Sequence, residues 1–334
     1  MNSVLKLSGI TLLSAFLLGG CASTKPEVKL AKAGSTIDHN NKGNKSYKDV
    51  LRRTNNMVQV FYGEPMVIVI DSITNMTAEQ ARLPADITDI VKTAFNNIGR
   101  NVIIVYDNNS EYLKKAKEVF KINGSITKYD VIYSDGSGID VEVTGTKNGQ
   151  RANAGGATDN ENQTVKLAIN FNPSKFFGGD YIPRTSTSNE VTIEKKSKAH
   201  EFAFSILGSG FGFNNSVTKS QGVHASINTL VEFSVLEVLG KLGKFPYWLL
   251  VDGGKVNNDI IHHLLGTFLR EPLTRKIQMI SYLFALRGAD GVSTSSSVMT
   301  PSLKQAIIAY KTARGIGIDD TINKRLYKSL LEGR

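Results

Sequence analysis

The side chains able to act as acids, bases, nucleophiles or metal ligands are spread thinly along this chain. It contains five histidines and one cysteine in 334 residues. His262 and His263 are adjacent in a segment with helical periodicity, so their side chains point apart and cannot bind the same metal ion. His200 and His224 flank a glycine-containing segment without the ligand spacing of a zinc site. We therefore predict neither a catalytic centre nor a metal site, and we expect that the protein is not an enzyme.

A second chemical feature is the glycine series Gly208, Gly210 and Gly212. A phosphate-binding loop of this kind needs a buried strand before it and a helix after it. Here Phe211 and Phe213 continue a strand-like alternation instead. We therefore predict no nucleotide cofactor.

The formal net charge of +10 favours anionic neighbours such as lipid headgroups or cell-wall polymers. The basic residues are scattered, apart from a cluster at residues 195–198, and they form no basic face with interleaved aromatic residues. For this reason we do not expect a nucleic acid among the partners.

The single cysteine lies at the end of an N-terminal signal. Lys6 precedes an apolar run at residues 10–18 that is too short to cross a bilayer and is typical of a signal peptide. The sequence Leu-Gly-Gly-Cys ending at Cys21 resembles a bacterial lipobox, which implies cleavage after residue 20 and acylation of the Cys21 sulfur. An ordinary signal peptide followed by a chance cysteine is the alternative. A covalent lipid on Cys21 is the only attached group that we expect.

The residue after the cysteine indicates where such a lipoprotein would reside. Ala22, rather than an aspartate, follows Cys21, and by resemblance to other Gram-negative lipoproteins this favours the outer membrane with the body in the periplasm. Each buried methylene of an acyl chain contributes about 0.8 kcal/mol to membrane binding. Residues 21–45 are polar and without periodicity, so we interpret them as a linker between the lipid and the folded part.

The next segment alternates strands and helices. Continuous apolar runs at residues 66–70 and 102–106 and a third run at 122–129 predict buried strands. Between them, Pro84 and Ser110 begin segments with apolar residues at helical spacing. This order of strand, helix, strand, helix and strand predicts an α/β sheet covered by helices.

Two polar segments with several glycines interrupt the second half of this domain, and we call them excursions from the α/β pattern. Alternating apolar residues predict hairpins at about residues 133–169 and 191–218. A tilted strand needs roughly 9–11 residues to cross a bilayer, and both excursions are long enough. In the second hairpin we expect one apolar face to contact the membrane, formed by Phe202, Phe204, Ile206, Phe211 and Phe213. An amphipathic helix is predicted at residues 226–242.

The order of these pieces across residues 46–254 resembles the curli secretion channel family of outer-membrane lipoproteins (CsgG-like). The resemblance implies a ring of periplasmic α/β domains, in which each subunit adds two hairpins to one shared barrel and the loop after the first strand narrows the pore. Carried over to residues 75–83, the constriction would be polar and formed by Asn75, Glu79, Gln80 and Arg82. The aromatic side chains that line the curli channel are absent from this loop, which argues against curli-like cargo.

A physical argument supports the same assembly. The strands of one chain cannot close a barrel around an aqueous channel, since the smallest closed barrels use about eight strands. An open strand edge in hydrocarbon leaves backbone groups without hydrogen-bond partners. Membrane insertion would therefore require a homo-oligomer with head-to-tail contacts between copies.

Residues 256–334 predict a small all-α C-terminal module. The helices expected at residues 303–310 and 321–330, with the glycine-containing segment between them, resemble a small three-helix peptidoglycan-binding fold. A plain helical bundle that packs on the ring or on a partner is the alternative.

The expected fold is thus an α/β periplasmic domain (residues 46–255) with two extended β-hairpins contributing to a composite oligomeric β-barrel, plus the helical module. Two functions remain open from the sequence. The first is an export or secretion pore built from a homo-oligomeric ring in the outer membrane. The second is a structural periplasmic ring or collar that ties other subunits of an envelope machine, for secretion or motility, to peptidoglycan.

Overall fold

The computed structural model describes residues 48–78, 83–134, 140–143, 162–195, 202–208, 218–220, 223–251 and 254–333. Within these ranges one sheet contains eight strands. The strands are β1 (Met66–Asn75), β2 (Val102–Val105), β3 (Val119–Ser134), β4 (Asp140–Val143), β5 (Asn162–Lys175), β6 (Thr187–Lys195), β7 (Phe202–Gly208) and β8 (Thr218–Ser220). The helices are α1 (Lys48–Met57), α2 (Thr88–Asn96), α3 (Glu111–Lys115), α4 (Val223–Gly243), α5 (Asn258–Arg270), α6 (Leu273–Leu286), α7 (Pro301–Arg314) and α8 (Lys324–Glu332). A π-helical turn (Val58–Tyr62) follows α1, and a 3-10 turn (Tyr247–Leu250) follows α4.

The sheet is parallel at one end and antiparallel at the other. Its strand order is β2-β1-β3-β5-β6-β7-β8, with β4 paired to β3. β1 runs parallel to both β2 and β3, because α2 and α3 provide the crossover connections. From β3 onward the long strands pair antiparallel. The predicted α/β architecture is therefore confirmed.

The third strand is longer than the sequence predicts. β3 continues past Tyr129 to Ser134 and pairs with β5 along its whole length, from Phe120–Lys175 to Ser134–Asn162. The register shifts between Ile126 and Lys128, which leaves one extra residue on β3. A bulge of this kind resets the alternation of side chains, so that Ile126 and Val131 are both buried although they are five positions apart. The base of the first predicted hairpin is thus an integral part of the main sheet.

Helix α4 is the central element of the core. It packs on β5 and β6 with one side, and α1, α2 and both short helical turns contact it elsewhere. Its residues are buried from Leu230 to Leu242, including the polar ones. The predicted amphipathic helix thus has no solvent-exposed face along this stretch, since a helix covered on all sides belongs to the interior.

Among the described residues, a second apolar cluster covers the opposite face of the sheet at its parallel end. It consists of Val67, Val105, Leu113 and Val119, with Phe176 packed against it. Ser110 caps α3 by accepting a hydrogen bond from the Tyr112 amide, which holds this short helix over the strands.

The C-terminal helices share one apolar core with the α/β part. The Trp248 indole nitrogen donates a hydrogen bond to the Leu331 carbonyl at 2.8 Å. The Tyr282 hydroxyl donates to the Arg53 carbonyl at 3.1 Å. Thr300 caps α7 and Gly315 ends it in a left-handed conformation (φ 62°), as the sequence predicts for this helix. Helices α5–α8 are therefore joined to the sheet by packing as well as by the chain.

Candidate functional site

The loop after β1 begins at Asn75, which the resemblance places in a pore constriction. Asn75 is buried, with 6% of its surface exposed. Its side-chain oxygen accepts hydrogen bonds from the Thr77 amide (2.9 Å) and the Thr77 hydroxyl (2.7 Å). The side chain therefore stabilises the turn that follows the strand, and in a single copy it cannot line an aqueous lumen. Glu79, Gln80 and Arg82 lie outside the described residues, so for them the constriction remains a prediction.

The strands of the two predicted hairpins present one apolar face to α4. Val191 of β6 is paired with Leu167 of β5 on one side and with Ile206 of β7 on the other. The buried side chains on this face are Val165, Leu167, Ile169, Phe171, Val191, Ile193 and Ile206. Because these residues lie in the apolar core that includes α4, the alternation seen in the sequence here places one face of the strands against that helix.

This arrangement changes the interpretation of Ile206, a residue expected to contact the membrane. Ile206 is 8% exposed and belongs to the main apolar core. Because the Ile206 side chain is buried within a single copy, it has no surface to present to lipid. The expected membrane contact is therefore not supported for this residue. Phe202 and Phe204 lie in the same strand β7 as Ile206. Their backbones pair with Lys195 and Ile193 of β6.

The remaining functional residues expected from the sequence lie elsewhere. Phe211, Phe213 and Cys21 are outside the described residues, and their membrane and lipid roles stay predictions. Within the described residues, the structure brings together the strands at the base of the two hairpins.

A buried polar network lies beneath these strands, between β6 and α4. The side-chain amide of Asn189 donates to the Ser234 hydroxyl (3.1 Å) and to a Glu237 carboxylate oxygen (2.8 Å). The other Glu237 oxygen pairs with the Lys241 ammonium at 2.7 Å. Lys241 also donates to the Ser186 carbonyl at 2.7 Å. Asn189, Ser234 and Glu237 are completely buried, so the network ties helix α4 to the start of β6 inside the core.

The strand next to this network approaches it closely. Gly208 of β7 is paired with Asn189, and a Cβ atom at position 208 would fall 1.6 Å from the Asn189 side-chain oxygen. Only a residue without a side chain fits there while Asn189 bonds Glu237. The glycine that superficially resembles part of a phosphate loop therefore has a packing role.

The other face of the antiparallel strands is charged. The Lys128 ammonium lies 3.0 Å from a Glu190 oxygen and 3.4 Å from an Asp130 oxygen. The hydrogen bond from Lys128 to Glu190 raises the pKa of the ammonium, and the Asp130 charge acts in the same direction. Lys128 pairs in register with Ala168 of β5, and Lys166 lies two positions from Ala168 on that strand. This face is therefore suited to water and unsuited to hydrocarbon.

Within the described ranges, no group of three or more histidine, cysteine, aspartate and glutamate residues is placed to hold a metal ion. Burial lowers the pKa of His263, with the Lys244 and Arg270 charges acting in the same direction, so this imidazole is neutral at pH 7. None of the helices in the described part of the chain is both long enough and apolar enough to cross a membrane.

Comparison with known proteins identifies no relative. No family model matches the chain, and no curated protein matches it significantly. The functional argument therefore depends on the sequence and on the geometry described above.

Sequence reasoning missed the buried network. Ser234, Glu237 and Lys241 follow one another at helical spacing, which places them on one stripe of α4. That stripe has the spacing of a solvent-exposed face. The remaining signal was in Asn189 and Gly208, a polar and a small residue within strand patterns. Such residues indicate that the polar stripe of α4 packs on the sheet there.

Proposed function

We propose that the chain is one subunit of a lipid-anchored homo-oligomeric ring that forms an export pore in the outer membrane. The main supporting observation is that the sheet ends in two edge strands: among the described residues, β2 pairs with β1 alone and β8 pairs with β7 alone. An edge strand is a template for pairing with another chain.

The position of the open edge favours a ring over a two-fold dimer. β2 forms one end of the strand order and β8 forms the other, so the two edges of one copy differ. A contact between two different edges is head-to-tail, and repeated head-to-tail contacts close into a ring when the rotation allows. Closure would supply every edge with a partner, as a barrel in a membrane requires.

The alternation along β5 and β6 supports the same proposal. These strands carry apolar side chains on the face toward α4 and polar or charged ones on the other. A strand of a membrane barrel alternates in the same way, with apolar residues toward lipid and polar residues toward the lumen. A strand that continued from the sheet into a bilayer would therefore keep the same alternation of apolar and polar side chains, with lipid in place of α4 against its apolar face.

The proposal is tested on the full chain extracted in detergent, by measuring particle mass and ion conductance in planar bilayers. We expect large ring-shaped particles that conduct. The informative variant is Phe213→Lys, with Asn214→Lys as the adjacent control, because a lysine on the lipid side near the midplane costs about 2–4 kcal/mol and one on the lumen side costs far less. Monomers that conduct no current, or equal effects of the two lysines, would contradict the pore.

A second candidate function is a structural collar bound to peptidoglycan. Two observations favour it. The C-terminal helices are joined to the α/β part by the Trp248–Leu331 and Tyr282–Arg53 hydrogen bonds. The net charge of the chain is positive. Because these helices share their core with the sheet, the test uses the full chain with Cys21→Ala. Sedimentation with purified sacculi supports the collar, and its absence excludes the wall-binding version.

A further inference from the structure

A surface cavity of about 480 Å³ lies at the end of the sheet where β1 and β3 begin and β5 ends. Tyr62 and Val119 line it, together with exposed Phe177 and four charged residues. The charged residues are Glu64, Lys117, Glu118 and Lys175. Its volume is typical of a small-molecule site.

The four charges are not neutralised by one another. Among the described residues, none of these side chains has an ion-pair partner within 4.0 Å or a side-chain hydrogen bond. Here two carboxylates and two ammoniums line one concavity, and each keeps unused hydrogen-bonding capacity.

The outer charges of the cavity also differ in sign across the sheet. Glu64 precedes β1 and Glu118 precedes β3, whereas Lys175 ends β5 on the far side of β3. Neighbouring strands are about 4.8 Å apart, so β1 and β5 are about 10 Å apart. Lys117 lies beside Glu118 at the middle strand. The β1 side of the cavity therefore carries the carboxylate of Glu64, the β5 side carries the ammonium of Lys175, and the middle carries one charge of each sign.

Tyr62 lies near the two carboxylates. Burial raises the pKa of Tyr62 to about 12, and the carboxylates of Glu118 and Glu64 add to the shift because both lie near its hydroxyl. The hydroxyl has no hydrogen-bond partner in the described part of the chain. A neutral phenol beside two carboxylates offers acceptors and an aromatic surface to an ammonium group.

We propose that this cavity binds a short zwitterionic peptide, with its ammonium group between Glu64 and Glu118 and its carboxylate at Lys175. An extended tripeptide is about 10 Å long, which matches the separation of the β1 and β5 sides. Phe177 and Tyr62 supply apolar contacts for the residues between the termini. The proposal does not depend on whether the protein forms a pore, because every residue used belongs to a single copy.

The test uses trialanine and two derivatives that each remove one terminal charge. Binding of trialanine, N-acetyl-trialanine and trialanine amide to the full chain is measured by saturation-transfer NMR and titration. We expect trialanine to bind most tightly, with each derivative weakened about 1.4- to fivefold, since an exposed ion pair contributes about 0.2–1 kcal/mol. No saturation transfer from trialanine, or equal affinities for all three peptides, overturns the proposal.

Two substitutions locate the site and should leave the fold intact because both side chains are exposed. Glu118→Gln should abolish the preference for the free amine, and Lys175→Gln should abolish the preference for the free carboxylate. Lys324→Gln, an exposed lysine on α8, is the matched control and should change neither. Preferences that survive both substitutions place the peptide elsewhere and refute the assignment.

Discussion

Replacing Lys241 by methionine tests the buried network most directly. Lys241 pairs with Glu237 at 2.7 Å, and the Glu237 side chain is completely buried. Methionine keeps most of the volume but leaves the carboxylate in the core without its ammonium partner. Removing one member of a buried ion pair costs about 3–5 kcal/mol. The total stability of a protein is about 5–15 kcal/mol, so we expect a loss of about a fifth or more.

The assay is urea unfolding of the mature chain carrying Cys21→Ala, at a fixed protein concentration. Trp248 is the only tryptophan and is buried, so its fluorescence reports loss of the core. The control is Lys114→Met, because Lys114 pairs with Glu111 at the surface, where both side chains are more than half exposed. This control should lose less than about 1 kcal/mol.

A double substitution separates the charge from the packing. Glu237→Gln combined with Lys241→Met removes both charges, and replacing a buried pair with uncharged groups of similar size is often close to neutral. We therefore expect the double variant to be more stable than Lys241→Met alone. A loss below about 1 kcal/mol for Lys241→Met, or a double variant less stable than the single one, would refute the reasoning.

Three further substitutions examine other features. Gly208→Ala should destabilise by about 1–3 kcal/mol, because its Cβ would meet the Asn189 oxygen that the network positions. Gly266→Ala in α5 should instead stabilise by about 0.5–1 kcal/mol, since nothing lies within 4 Å of a Cβ there; urea midpoints measure both, and equal signs would contradict the packing argument. The ammonium of Lys311 holds the pKa of Asp319 well below its usual range, with the Thr321 hydroxyl and amide contributing. This depressed pKa stabilises the folded state at pH values above the unfolded-state pKa of about 4, and the stabilisation is lost as the pH falls further. Asp319→Asn should therefore lower the urea midpoint at pH 7 and change it progressively less below pH 4; a pH-independent difference would show that the charge is not responsible.

The α/β half illustrates what local pattern can predict. The apolar run at residues 66–70 and the start of the helix capped by Ser110 correspond to β1 and α3. The helix predicted from Pro84 is present as α2 but begins four positions later, at Thr88. Each is specified by side chains within a few positions of one another. The C-terminal helix begun by Thr300 and Pro301 and ended by Gly315 is of the same kind.

The antiparallel half shows where local pattern is insufficient. The alternation in residues 165–171 and 202–206 is correct for strands, but alternation does not say whether lipid, a neighbouring copy or a helix covers the apolar face. In the structure α4 packs on β5 and β6, and Ile206 of β7 is buried in the same core. That choice depends on a helix that begins after all of these strands in the chain.

The sequence alone determined the type of most elements and the side of each strand that is apolar, because both follow from neighbours two to four positions apart. Only the tertiary structure decided that Glu237 and Lys241 are interior residues, since their partners Asn189 and Ser186 are 48 and 55 positions away. A charged residue is exposed or buried according to what packs on it, and packing between distant segments has no signature in local spacing.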